Sequence, residues 1–153
     1  MIDPAIAGTE LGSFRFPIDR SKLAELARAH HDDDSAWYDQ DAAADAGFET
    51  IPVPPTVTVL GDHWRPGGAL AAALAIGADL KRLLHGEASW EYLEPITLGD
   101  ELTATARVTD VGQREGKRGG TMTLVTIQTD FANQHGRLVA RRRDTLIETE
   151  AAG

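Results

Sequence analysis

At Gly86 the hydrophobic rhythm of this chain changes, and that change limits the folds open to it. After Gly86 apolar residues alternate with a period of about 2; before it they recur at roughly 3.6. Glu101 to Asp110 sets Leu102, Ala104, Ala106 and Val108 against Thr103, Thr105 and Arg107, the pattern of a strand with one buried face. Ser89 to Glu94, alternating around Trp90 and Tyr92, and the β-rich runs Thr121 to Phe131 and Arg137 to Glu148 add three more strands. Gly112 to Gly120, rich in glycine and charge, reads as an exposed hairpin loop, and Asn133 to Gly136 as a tight turn. Helices followed by a four-stranded antiparallel meander predict an α+β fold with a long helix packed on one sheet face. The edges of such a curved sheet are commonly covered by a second copy or a related chain, so a dimeric assembly is expected.

The first half supplies the helices. Ser21 to His31 carries Leu23, Leu26, Ala27 and His30 on one helical face, with Asp19 and Ser21 as cap candidates. The acidic run Asp32 to Asp34 breaks that pattern, and Asp39 or Asp41 can cap a second short helix that ends at Gly47. Ile51-Pro-Val-Pro-Pro55 is a rigid extended connector, because its prolines lack donors and fix φ. A helix can begin after Pro55 and run from Thr56 to Trp64. Arg65-Pro-Gly-Gly68 separates it from the alanine-rich helix Ala69 to Ile76, and Asp79 caps a turn through Leu84.

A length of 153 residues with 42% hydrophobic content fits one domain spanning 1–153, with residues 1–10 and 149–153 expected to be flexible. There are no cysteines, which excludes disulfides and thiolate metal sites. The net charge of −9 opposes binding to a phosphate backbone, so no nucleic-acid partner is expected. The chain shows neither a membrane span nor a basic-then-apolar leader, and the expected location is the cytoplasm.

Two segments resemble the MaoC-like hot-dog dehydratases, in particular their N-terminal-domain branch. The first runs from Asp32 to Thr56, with Trp37-Tyr38, Ala42-Ala43, Gly47-Phe48 and Val53-Pro-Pro-Thr56 as landmarks. The second is Leu84-His-Gly-Glu87 followed by Trp90-Glu-Tyr92, Pro95 and Gly99-Asp100, similar to the pattern His-Gly-Glu-x-x-Phe-Glu-Tyr-x-x-Pro-x-x-x-Gly-Asp. The resemblance implies a hot-dog fold, a curved antiparallel sheet wrapped around a central helical segment. In the family's (R)-specific enoyl thioester hydratases, a segment Asp-x-Asn-Pro-x-His-x-Asp handles the water. Laid on that segment, Asp32 keeps the Asp position, Asp34 stands for the Asn, Ser35 for the Pro and Trp37 for the His.

An indole cannot shuttle protons; it offers one N–H donor and a large apolar surface. The nearest likeness within the family is to the non-catalytic subunits of heterodimeric 3-hydroxyacyl thioester dehydratases. It implies an acyl-thioester-binding subunit that works with a catalytic hot-dog partner, or alternatively with a second copy of itself. Substrate would be carried on coenzyme A or an acyl carrier protein, with no cofactor and no metal. Fatty acyl, steroid-side-chain and small branched acyl thioesters all stay open.

The expected substrate-binding residues are Trp37, Pro55, Thr56, His63 and His85, and no catalytic residue is assigned beyond the candidates Asp32 and His85. His85 is the rival base, oriented by Glu87; it would serve a self-sufficient homodimeric hydratase or thioesterase. A non-enzymatic acyl-binding protein is the third reading. His30 and His31 diverge by about 100° on a helix and do not suit one metal ion. Within the predicted last strand, Arg142 can pair with Asp144 on one face, leaving Arg141 and Arg143 for ion pairs or the phosphates of a carrier.

Overall fold

The computed structural model describes residues 1–116 and 120–150. Five strands form one antiparallel sheet: β1 (Glu10–Pro17), β2 (Leu83–Tyr92), β3 (Glu101–Glu115), β4 (Thr121–Ala132) and β5 (Leu138–Thr149). Their spatial order is β1-β3-β4-β5-β2, so β1 and β2 are the edges. The fold is α+β and of hot-dog type. It is not the simple four-stranded meander expected from the sequence, for two reasons. β1 was not expected: its alternation rests on Phe14 and Phe16 alone, between Gly12 and Pro17. β2 crosses to pair with β5 rather than with its successor β3, and it begins at Leu83, well before Ser89.

The helical part is also broken up. Helices α1 (Arg20–Ala29), α2 (Gln40–Asp45), α3 (Val57–Trp64) and α4 (Ala71–Ala75) are all short. The expected caps form: the Asp19 carboxylate accepts from Lys22 N at 2.9 Å, and that of Asp39 from Asp41 N and Ala42 N at 3.0 and 2.9 Å. In place of one long helix on the sheet, α3 and α4 are interrupted at Pro66, Gly67 and Gly68, where the two glycines take φ of 85° and 77°. Proline cannot donate and those glycine angles are not helical, so the segment bends as it crosses the sheet.

Strand alternation puts Phe14, Phe16, Leu102, Ala104 and Phe131 on the inner face with α1 and α3, forming one core cluster. Ala106, Val108, Val125 and Ile127 form a second cluster with Ala73 and Ile76 of the α4 region. Ala104, Ala106 and Ala140 are completely buried, and such small residues let the helical segment approach closely. Gly61 marks the closest approach: a Cβ there would lie 2.7 Å from Phe16 Cε1. Phe16 is 1% exposed and held edge-on against Phe131, so its ring has nowhere to go.

The N-terminus and the end of β5 are tied together at this core. Of the first ten residues, read from sequence as a flexible end, Ile2 is 2% exposed and belongs to the second cluster. Its N–H donates to Glu148 Oε2 at 2.6 Å, and Asp79 N donates to Glu148 Oε1 at 2.8 Å. Burial pushes the Glu148 carboxyl up, but these N–H groups and Arg82 outweigh it and hold the carboxyl below its ordinary value. Gly112, expected in a loop, lies inside β3 opposite Leu124; the rest of that loop includes residues 117–119, and the expected flexible end includes residues 151–153, both outside the described residues. No helix among the described residues is long and apolar enough to cross a membrane.

Two outcomes follow from this packing. Gly61→Ala should destabilise the chain by about 1–3 kcal/mol in denaturant unfolding, because overpacking at Phe16 exceeds the roughly 1 kcal/mol that alanine gains in a helix. Glu148 has a lowered folded pKa, so its contribution is present above its ordinary value of 4.5 and lost as pH falls through the folded value. Glu148→Gln should therefore lower the melting temperature at neutral pH and reduce its fall on acidification below that value.

Candidate active-site cavity

The three consecutive arginines of β5 show what strand alternation does to charge. Arg141 and Arg143 leave on the outer face, where Arg141 Nε meets Asp130 at 2.7 Å and Arg143 Nε donates to Gln128 at 3.1 Å. Those contacts are the ion-pair and hydrogen-bond reading of the sequence, not a free phosphate site. Arg142 points inward, is 8% exposed, and forks onto Asp62 of α3 with bonds of 2.9 and 3.0 Å. Its Nε donates to Asp144 Oδ2 at 2.8 Å, the same-face pair expected from the spacing. Burial alone would lower the Arg142 pKa; the two carboxylates reverse that and raise it.

His85 extends the chain of contacts. Its Nε2 lies 3.1 Å from Asp144 Oδ1, so Asp144 bridges an imidazole and a guanidinium. The expected orienting partner, Glu87, is not the one used. A bulge at Gly86 pairs His85 with Leu146 and Glu87 with Thr145, neighbours on opposite faces of β5, so Glu87 is turned to the other side. A Cβ at Gly86 would meet Ile147 Cδ1 at 2.7 Å, so a side chain there would require the end of the Ile147 side chain to move aside.

These residues line a cavity of about 330 Å³ between the bent α3–α4 segment and the inner sheet face. Its polar wall holds Asp62, Arg65, Thr129, Arg142, Asp144 and His85; aliphatic groups from α4, β2, β4 and β5 make up the rest. The cavity sits where the core changes cluster. Thr129 falls between Ile127 and Phe131 on β4, and opposite it Arg142 follows Ala140 on β5.

Of the residues expected at a substrate site, His85 alone lines this cavity. Pro55 lines a separate groove of about 370 Å³ with Tyr92, whose hydroxyl donates to Pro55 O at 2.6 Å. Thr56 and His63 are exposed. Asp62 and Arg65, three apart on the helical segment, face inward, and one residue's rotation of about 100° carries His63 away. Trp37 is half-buried in the short turn Ser35–Trp37, which packs against α1 and α2. In the same segment the Asp32 carboxylate accepts from Asp34 N at 3.2 Å and that of Asp34 from Ala36 N at 2.9 Å. Asp62 and Thr129 were missed by sequence reasoning; a lone acid inside the largely apolar helix Val57–Trp64 was the available signal for Asp62.

Removing one member of the buried ion pair should cost far more than removing both. Asp62→Leu should destabilise by about 3–5 kcal/mol because it strands most of the Arg142 charge, while the double change with Arg142→Met should recover much of that loss in a double-mutant cycle.

Residues 5–142 match the family described as FAS1-like, dehydratase domain region. A UPF0336 protein of Clavibacter michiganensis is 30% identical over 147 residues, covering 95% of each chain. One from Streptomyces griseus is 29% identical over 136 residues, covering 89% of this chain and 87% of its own. Among solved structures, the HadBC (3R-hydroxyacyl-ACP dehydratase) complex of Mycobacterium tuberculosis superposes with a TM-score of 0.68 at 24% identity, covering 93% of this chain and 96% of that one. The ChsH1–ChsH2 complex of the same organism gives 0.73 at 18% identity, with 98% and 88% covered. R-hydratase PhaJ1 of Pseudomonas aeruginosa gives 0.64 at 17%, with 95% and 83% covered. The sheet, its helical filling and the match over nearly the whole chain agree: this protein belongs to the FAS1-like dehydratase-region family of MaoC-like hot-dog domains.

Proposed function

We propose that this chain is the acyl-thioester-binding subunit of a (3R)-hydroxyacyl thioester dehydratase and that a catalytic hot-dog partner supplies the proton-transfer pair. The observation that carries this reading is the segment Asp32 to Trp37. Its carboxylates at Asp32 and Asp34 accept backbone N–H groups within the segment, and by resemblance Trp37 stands where the family's hydratases have histidine. Adding water across an enoyl thioester needs a group to take a proton from water and one to deliver a proton to Cα. Trp37 can do neither.

The edge strand β2 supports the partner. Its outer edge is unpaired among the described residues, and Leu84, Trp90 and Tyr92 along it are each 39–58% exposed. An unpaired edge strand of ten residues invites strand pairing or cover by another chain. The HadBC and ChsH1–ChsH2 neighbours are themselves two-component complexes, which supports a second hot-dog chain as the occupant. The substrate thioester, on coenzyme A or a carrier protein, would place its acyl group in the cavity lined by His85 and Arg142.

A second reading has its own observation: His85 is bonded to Asp144 at the wall of that same cavity. In it the chain alone would be a hydratase or thioesterase, with His85 as base. Asp144 is shared with Arg142, however, so its charge is committed before the imidazole draws on it. Hydration of crotonyl-CoA followed at the enoyl absorbance decides between the two. The lone chain should show no rate above buffer, and co-expression with a hot-dog chain bearing an intact Asp-x-Asn-Pro-x-His segment should restore turnover that survives His85→Ala. Turnover by the lone chain that His85→Ala abolishes would reverse the assignment.

A further inference from the structure

Arg65 lies between two cavities. It lines the one of about 330 Å³ described above, and also a second of about 200 Å³ bounded by Leu11, Ser13 and Phe14 of β1 and by Pro66 and Ala71 beyond the end of α3. No other residue belongs to both walls. The second cavity lies where the edge strand β1 is irregular: its register on β3 shifts between Glu10 and Ser13, and Gly12 takes φ of 84°. Arg65 ends α3 in extended backbone, with φ of −62° and ψ of 129°, and is 7% exposed.

The side chain itself forms the division. Its Cζ lies 4.9 Å from the centre of the Phe14 ring, which is wall of the second cavity. Burial lowers the Arg65 pKa, and the charges that act on it next are Asp62, Arg142 and Asp144, all wall of the first. A methylene chain passing from one cavity to the other would have to push this cation off the ring it rests on. No hydrogen bond or ion pair among the described residues holds the guanidinium, so replacing Arg65 breaks no such bond in the fold.

We propose that Arg65 sets the length of acyl chain the site accepts. It stops the tail at the end of the first cavity, which makes short-chain acyl thioesters the substrates, and its removal joins the two cavities into one pocket for longer chains. The inference rests on the reading of the first cavity as the acyl pocket. Ala71 supplies the control: it lines the second cavity and not the first, so Ala71→Leu fills only the added space.

The test is a series of saturated acyl-CoAs from butyryl to dodecanoyl, titrated calorimetrically into the full chain. Each buried methylene strengthens binding about fourfold, so wild-type affinity should rise with length and level off once the first cavity is full. In Arg65→Ala the levelling should move to longer chains, with dodecanoyl-CoA bound about tenfold more tightly than by wild type and butyryl-CoA bound equally. Adding Ala71→Leu to Arg65→Ala should return the wild-type profile, and Ala71→Leu alone should leave that profile unchanged. A second readout uses the wild-type chain directly: dodecanoyl-CoA with a terminal diazirine, photo-crosslinked and mapped by mass spectrometry, should leave residues 11–14 unlabelled. Labelling of those residues in wild type, an unchanged length profile in folded Arg65→Ala, or a gain there that Ala71→Leu does not reverse would each overturn the stop while leaving the acyl pocket standing. Binding of no acyl-CoA of any length would remove the acyl reading and this inference together.

Discussion

The close approach of α3 to the sheet is the constraint on which the rest depends. Gly61 lies against the ring of Phe16 at a separation that excludes even one more methyl group, and completely buried alanines at 104, 106 and 140 clear the inner face on which the helical segment lies. With α3 pinned there, Pro66 and the left-handed glycines at 67 and 68 turn the chain before α4. The bend leaves space under the junction of the two helices. The cavity is therefore a result of packing at one end and a broken helix at the other, and it opens where the core passes from one apolar cluster to the next.

Within that space, charge is arranged by strand alternation. Arg142 is the middle member of three arginines, and only it is turned inward, where Asp62 and Asp144 grip it. A buried pair of this kind adds little net stability over well-packed apolar groups; its effect is to fix the geometry of α3 against β5 and to orient Asp144 toward His85. Arg65 stands outside this network.

The family membership places the chain among dehydratase-type hot-dog domains, and the proposed function turns on the Asp32 to Trp37 segment. In that segment the backbone keeps a capped turn, with Asp34 accepting from Ala36 N and Tyr38 reaching back to the carbonyl of Asp32. The edge strand β2 carries the half-exposed aromatic residues Trp90 and Tyr92.

How much of this was legible beforehand follows from the range of the forces involved. Alternation in residues 101–110, the Asp19 and Asp39 caps, the chain-breaking Arg65-Pro-Gly-Gly segment and the same-face pair Arg142–Asp144 are local, within one or two turns or strand steps, and the sequence by itself determined them. Tertiary structure decided the rest. Only the crossing of β2 to β5 brings His85 to Asp144, 59 residues away, and only the seating of α3 brings Asp62 to Arg142, 80 residues away. A one-residue bulge at Gly86 was enough to separate His85 from Glu87, because strand faces reverse with each step. Residue types announce what chemistry a chain carries; which groups meet depends on contacts between distant segments, whose registers no local pattern encodes.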